Sequence, residues 1–347
     1  MNHSTTIGLD VGDKYCHLCV IDGDSGEELE TSRVPTTQGA LGDWFGKRSS
    51  ARVVLEVGGH AGWISRLLAG SGHEVLVADA RKARLVMGDQ QKDDRLDAEL
   101  LARFGRADPK LLRPVKLRSE ETQCALAVIR SRDALVSART SLINHVRGAV
   151  KALGRRLPSC SSECFHRLRD GVPEALREAL EPMFTVLEEL TQQIKAQDAA
   201  LERLCEEHPM TERLRQINGV GPITALCYVL TLEDPGRFAK SRQVGAYLGL
   251  CPRRWQSGEE DPEMHISKAG DQLLRRLLIQ CAHHILGAHG PDSDLKRWGT
   301  AHAVGGRTAK KRAVVGVARR LAVLMHHLWV AGVDYEPLYQ TRTKAAA

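Results

Sequence analysis

TTIGLDVGDKYCHLCVID, residues 5–22, decides the fold. Two apolar, β-branched runs flank Gly12-Asp13-Lys14, and that pattern predicts two strands joined by a tight turn. Downstream, ARVVLEVG (51–58) and HEVLVADA (73–80) read as short buried strands, while TQGALGDWFGK (37–47) and GWISRLLAG (62–70) carry helical spacing. A strand hairpin followed by alternating helix and strand predicts a mixed α/β domain built on a central sheet.

From Asp94 the pattern turns helical, first in DRLDAELLARFGR (94–106) and then over a long segment at 119–154. In that segment Leu126, Ile129, Val136, Ile143, Val146 and Val150 follow helical spacing, with Arg132, Arg139 and Arg147 as a basic set nearby. The set predicts a nucleic-acid-facing helix, although an ordinary amphipathic helix fits the same pattern. Met183, Leu187, Leu190, Ile194, Gln197, Leu201 and Leu204 then alternate steps of four and three, a heptad seam that joins chains or packs a helical hairpin. Beyond residue 210, LRQINGVGPITALCYVLTLED resembles a helix-hairpin-helix, in which Gly219 and Gly221 would offer backbone N–H groups to a DNA phosphate. The expected organisation is an α/β domain with its basic helix at 1–155, a helical coiled-coil spacer at 156–209 and a mainly α domain at 210–340.

Composition narrows the functional classes. The chain has 347 residues, 42% of them hydrophobic, which is ample for two packed cores. MNHSTT lacks a signal pattern and no run of 18 apolar residues occurs, so a cytoplasmic protein is expected. The nine cysteines are then expected to stay reduced. Cys16 and Cys19 stand an odd number of residues apart on a predicted strand and so face opposite ways, which argues against zinc. Net charge is +6 but uneven: residues 101–156 carry 13 Lys/Arg against 4 Asp/Glu, 163–210 carry 5 against 11, and 251–320 carry 13 against 7. Two basic blocks around an acidic one suggest two polyanion-binding surfaces.

The chemistry rests on four carboxylates. Asp10 lies on the first strand, Glu56 ends a later one, and Asp94 and Asp97 project from one face at a helix start. Like charges gathered this way are costly unless a divalent cation neutralises them, and an all-oxygen donor set suits Mg²⁺ or Mn²⁺. Asp93 reads as the helix cap.

Ile7-Gly8-Leu9-Asp10, Leu55-Glu56 and Asp94-Arg95-Leu96-Asp97-Ala98 occur in the order found in insertion-sequence transposases with an Asp-Glu-Asp-Asp tetrad, the recombinases guided by a bridge RNA, and the chain resembles that family. The second half is similar as well, in Ala246 to Arg253, Ser257-Gly258 and Ile266 to Arg275. The resemblance implies a ribonuclease H-like, Holliday-junction-resolvase-like first domain and a C-terminal transposase domain. It also implies Mg²⁺ on the tetrad and Ser257 as the nucleophile that forms a phosphoserine with DNA, assisted by Arg253, Arg254 and Lys268. Partners implied are DNA, a guide RNA docked on the 119–156 helix, and further copies of the chain as a dimer or tetramer. The setting would be the prokaryotic cytoplasm, with the nucleoid. Departures occur at Asp93, at Glu56-Val57-Gly58-Gly59 and at Met264-His265, and the last leaves the role of His265 open. Ser267, the nearest rival serine, reads as a helix N-cap.

The closing stretch, GGRTAKKRAVVGVARRLAVLMHHLW, reads as a basic helix with an apolar face that brings Lys310 and Lys311 to DNA phosphates. Three other readings compete. A junction-resolving nuclease would use the tetrad and water alone. An actin-like ATPase would share I-G-L-D-V-G but needs a second phosphate loop, which the sequence lacks. A non-catalytic DNA-binding protein would need none of the four carboxylates.

Overall fold

Strands β1 (Thr5–Val11) and β2 (Tyr15–Asp22) form the expected hairpin, in register from Thr5–Asp22 to Val11–Cys16. This is a computed structural model, which describes residues 4–79, 93–254, 256, 262 and 264–345. β3 (Glu28–Pro35) continues the antiparallel meander, whereas β4 (Arg52–Glu56) and β5 (Glu74–Ala78) add in parallel on the other side of β1. The sheet order is therefore β3-β2-β1-β4-β5. It lies in the first of two compact units, Met1–Gln123 and Cys124–Ala347.

Alternation along the strands gives this sheet two apolar faces. Ile7, Leu9, Cys16, Leu18, Val53 and Leu55 pack with Leu41 and Phe45 of α1 (Gln38–Gly46) and with Ile64 and Leu68 of α2 (Ala61–Gly70). Cys19, Ile21, Val54 and Ala78 lie on the opposite face, under Ala98, Leu101 and Ala102 of α3 (Asp94–Ala107). Cys16 and Cys19 thus do face opposite ways, both buried and both free thiols.

The second unit is helical. Within it, α4 (Glu120–Ala152) and α5 (Glu174–Glu207) run antiparallel, joined through a 3₁₀ segment at Ser162–Gly171. Ile143, Val146 and Val150 meet Leu180, Phe184 and Leu187 at one end, and Leu126 and Ile129 share a core with Leu201 and Cys205 at the other. The heptad seam therefore packs a hairpin inside one chain. Its buried line is Leu180, Phe184, Leu187, Thr191, Ile194, Leu201 and Cys205, so Met183, Leu190, Gln197 and Leu204 flank the seam instead of filling it. The remaining core surrounds α7 (Pro222–Leu232), buried from Thr224 to Leu232, which follows the short α6 (Met210–Arg215). α8 (Arg242–Tyr247), α9 (Gln272–Leu286), α10 (Asp294–His302), α11 (Arg307–Ala331) and α12 (Tyr339–Ala345) complete the unit. By length and composition α11 passes for a membrane span, but Val317, Ala318, Leu321, Ala322, Met325 and Leu328 place one side of it in this core.

Candidate active site

Asp10 and Glu56 end up side by side because of sheet register. The β1–β4 pairing ends at Leu9–Leu55, so the next residue of each strand, Asp10 and Glu56, stands at the carboxyl end of two neighbouring parallel strands. Both follow the parity of Gly8 and Val54 and so belong to the face that α3 covers. That helix begins at Asp94, with the Asp93 carboxylate capping it by accepting from the Arg95 N–H at 2.9 Å. Asp97 lies one turn in, on the same side as Asp94.

Gly8 is what lets α3 come so close. A β-carbon at this position would collide with the carbonyl oxygen of Ala98 and lie 2.6 Å from the Ala102 nitrogen. The sequence motif Ile7-Gly8-Leu9-Asp10 thus carries a packing instruction two residues before the acid, one that reading the chain alone did not reveal.

The electrostatics show the carboxylates acting on one another. The half-buried Asp10 carboxyl is pushed up to about 6, first by burial and then by Asp94, Asp97 and Glu56 in that order, with His17 opposing them. His17 is the cross-strand partner of Asp10 on β2. Gathering four acids at one sheet end raises the energy of the ionised state, and a hard divalent cation is the ligand that such an oxygen-only donor set fits. Among the described residues, no three of His, Cys, Asp and Glu are close enough as placed to hold a metal ion. The cluster is thus within electrostatic reach but not drawn into a coordination shell. The same part of the first unit also holds a pair that the sequence did not suggest: His60 Nδ1 accepts from Trp63 Nε1–H at 3.1 Å, which leaves Nε2 to donate to Asp13 at 3.3 Å.

In the second unit, two motifs far apart in the reading prove to be one object. Gly249 to Arg254 and Met264 to Gly270 pair as an antiparallel ribbon, bridged at Pro252–Ile266. Three backbone bonds hold it: Arg253 N–H to His265 O at 2.9 Å, Ser267 N–H to Cys251 O at 2.9 Å, and Lys268 N–H to Gly249 O at 3.1 Å. Gly270, with φ of 70°, has room for no β-carbon against the carbonyl oxygen of Tyr247. Lys268 also takes a positive φ, 55°. Arg253, Arg254, His265 and Lys268 are exposed on the two arms. Ser257 and Gly258 fall between the arms in sequence and lie outside the described residues. The expected cap role of Ser267 is corrected: α9 is capped by Asp271, whose carboxylate accepts from Leu274 N–H at 2.9 Å, and Ser267 Oγ accepts from Ala269 N–H at 3.4 Å.

The three arginines expected on a nucleic-acid face of α4 point elsewhere. Arg132 is half-buried and ion-paired with Asp198 of α5. Arg139 is only 7% exposed, with one bond to Thr191 Oγ1 at 3.4 Å and no partner for Nε among the described residues. Arg147 donates to the carbonyls of Leu157 and Pro158, at 3.3 and 3.2 Å, and lies over the Phe165 ring. A basic helical periodicity does not distinguish cations aimed at solvent from cations aimed at neighbouring elements, and here α5 meets Arg132 and Arg139 while carbonyls beyond the end of α4 meet Arg147. The other expected contacts are accessible: Gly219 has φ of 92° in the turn before α7, Gly221 is the N-cap of α7, and Lys310 and Lys311 are exposed in the first turn and a half of α11.

Comparison with known proteins finds matches in both halves of the chain. Residues 7–154 match a transposase family model of the DEDD type of IS110, and residues 211–296 match the transposase IS116/IS110/IS902 family. The transposase for insertion sequence element IS1111A of Coxiella burnetii is 28% identical over 92% of this chain and 88% of its own length. A probable family 20 transposase of Pseudomonas aeruginosa is 30% identical, covering 84% of this chain and 87% of its own length. The transposase for insertion sequence element IS1328 of Yersinia enterocolitica is 30% identical over 81% and 84% of the two chains.

Proposed function

The chain belongs to the IS110 family of insertion-sequence transposases, and from that premise we propose that it recombines DNA with Ser257 as nucleophile and the four carboxylates of the first unit as the seat of a divalent cation. The observation that carries this reading is the sheet register that sets Asp10 beside Glu56 on the face covered by the helix opening with Asp94 and Asp97, where burial and then those acids push the Asp10 carboxyl up to about 6. The order β3-β2-β1-β4-β5, with three antiparallel strands and two parallel ones, supports a ribonuclease H-like reading of the first unit. The α6–turn–α7 arrangement, with Gly219 in the left-handed region, supports a helix-hairpin-helix reading in the second.

Asp10, Glu56, Asp94 and Asp97 would hold Mg²⁺ or Mn²⁺, whose contribution when bound is to neutralise charge on a scissile phosphate. The Ser257 Oγ attacks phosphorus, the serine proton leaves, and the P–O bond to the neighbouring nucleotide breaks with release of a free hydroxyl. A hydroxyl from the exchanging strand then attacks the phosphoserine, rejoins the DNA and returns the serine. Exposed Arg253, Arg254, Lys268, Lys310 and Lys311 would meet DNA phosphates, with backbone N–H groups near Gly219 and Gly221. Target choice by a guide RNA and action as a dimer or tetramer rest on the family resemblance.

The test is plasmid recombination with the element's flanking non-coding RNA supplied, together with a search for a protein–DNA adduct. Wild type should recombine and form the adduct; Asp10→Ala and Ser257→Ala should lose both, by about 10³-fold or more, as expected when about 4 kcal/mol of transition-state stabilisation is removed. If Ser257→Ala still cleaves while Asp10→Ala does not, the chain is a metal-dependent nuclease that uses water.

A further inference from the structure

The carboxyl end of the sheet carries cations as well as acids. Residues 112–115 run antiparallel beside β5: Asp79 N–H donates to the Leu112 carbonyl at 3.2 Å, and Val115 N–H donates to the Val77 carbonyl at 2.8 Å. Leu112 is buried with Val54, Ala78 and Leu101, on the face that α3 covers. Arg113 falls between the two bonds, level with Ala78, and Ala78 pairs with Glu56. Asp10, Glu56, Ala78 and Arg113 are thus successive positions across one sheet end, and the Arg113 backbone stands two strand spacings, about 10 Å, from that of Glu56.

Arg113 is held there in an unfavourable backbone. Its φ is 45°, in the left-handed region that a residue with a β-carbon enters at a cost, and the Pro114 that follows narrows its choices further. The turn around it fixes this conformation: Leu111 N–H donates to Asp108 O at 3.0 Å, Leu112 N–H to Pro109 O at 3.3 Å and Arg113 N–H to Lys110 O at 3.1 Å, while the Asp108 carboxylate accepts from Lys110 N–H at 2.9 Å. What the strained turn presents is charge. Lys110 and Arg113 are exposed, and among the described residues neither side chain has an ion-pair or hydrogen-bond partner. Arg48, Arg52, Arg103 and Arg106 of the same unit are, by contrast, taken up by carboxylates or carbonyls.

We propose that Lys110 and Arg113 form a phosphate clamp for the DNA strand on which the four carboxylates act, gripping its backbone within about three nucleotides of the scissile phosphate. This rests on the reading of those carboxylates as the seat of a divalent cation that works on DNA. An acidic site repels a polyanion, so fixed cations about 10 Å away hold the strand by neighbouring phosphates and leave the acids to the metal. That separation is about three rises of about 3.4 Å along one strand. Such a contact reads no sequence and releases counterions, and each phosphate neutralised adds about 0.9 to the slope of log affinity against log salt on duplex DNA.

The experiment uses the full-length chain with the element's flanking non-coding RNA, and measures affinity for a duplex of the element's end in EDTA across a salt titration, affinity for the RNA, and thermal midpoint. Arg113→Gly removes the charge and suits the left-handed backbone, so it should keep its midpoint and RNA affinity, bind DNA about 5-fold more weakly and lose about 0.9 from the salt slope. Arg113→Lys should keep the slope. Lys110→Ala should behave as Arg113→Gly does, and decides the matter if Arg113→Gly does not fold. Duplexes with one uncharged methylphosphonate linkage locate the contact: the linkage that weakens wild-type binding should lie within about three nucleotides of the scissile phosphate and weaken Arg113→Gly no further. Wild-type affinity and slope in both Arg113→Gly and Lys110→Ala overturn the proposal. So does a loss confined to RNA affinity, which would give the turn to the RNA, or a methylphosphonate scan in which both proteins lose equally at every linkage. Asp10→Ala, run alongside, tests the other reading: recombination by that variant overturns the cation seat, whatever the salt slopes of the Lys110 and Arg113 variants show.

Discussion

Two charge clusters in this chain, both visible in the sequence as charged residues at regular spacing, were treated in opposite ways by the fold. At the end of the sheet, Asp10, Glu56, Asp94 and Asp97 were brought within electrostatic reach of one another, with His17 opposing their effect on Asp10. In the hairpin, Arg132, Arg139 and Arg147 were turned inward and met by Asp198, Thr191 and two carbonyls. The first arrangement, through burial and then its acidic neighbours, pushes the Asp10 carboxyl up to about 6. The second satisfies most of its own cations within the chain. A charge pattern is thus read only together with the neighbours that the fold supplies to it.

The comparison can be broken at several points. The largest effect is expected at Gly8: Gly8→Val places side-chain atoms where the Ala98 carbonyl lies, so α3 must lift, carrying Asp94 and Asp97 with it. A loss of about 3 kcal/mol or more in the first unit's denaturant stability should follow. Unchanged stability would mean that α3 is not seated as described. At the other cluster, Arg139→Met removes a buried charge that has no carboxylate partner among the described residues and keeps its length, and should stabilise the protein by about 1 kcal/mol with RNA affinity unaltered. Weaker RNA binding by a folded Arg139→Met protein would restore the hairpin arginines as a docking face. A smaller effect concerns pH. The folded state holds the Asp10 proton more tightly than the unfolded chain does, so the stability this group contributes is fully present below about 3.8 and is lost as pH rises through about 6. In metal-free buffer, Asp10→Asn should flatten that decline, and a pH profile identical to wild type would contradict it.

Much of the first unit was legible because period-two alternation and turn residues act locally. The hairpin around Gly12, the strands at 52–56 and 74–78, and the Asp93 cap all follow from nearest neighbours. The gathering of the acids depends on register and on Gly8, whose role is defined by a helix some ninety residues away and leaves no local trace. The hairpin seam was legible in its period but displaced in its face, since Phe184, Thr191 and Cys205 are buried where Met183, Leu190 and Leu204 were expected. Periodicity alone fixes a stripe only to within a neighbouring residue, and the partner helix selects the rest. The union of the Gly249 and Gly270 motifs in one ribbon was not readable from spacing.

The central claim is that four carboxylates are held at one sheet end for a divalent cation. Thermal unfolding of wild type and Asp10→Asn at pH 7.5 (roughly 1.5 units above the Asp10 pKa, so that its carboxyl is ionised), in EDTA and across a Mg²⁺ titration, tests it most directly. The account predicts that without metal Asp10→Asn melts above wild type, that Mg²⁺ raises the wild-type midpoint, and that the variant responds little. A wild-type midpoint indifferent to Mg²⁺ and Mn²⁺, with Asp10→Asn no more stable than wild type in EDTA, would contradict it.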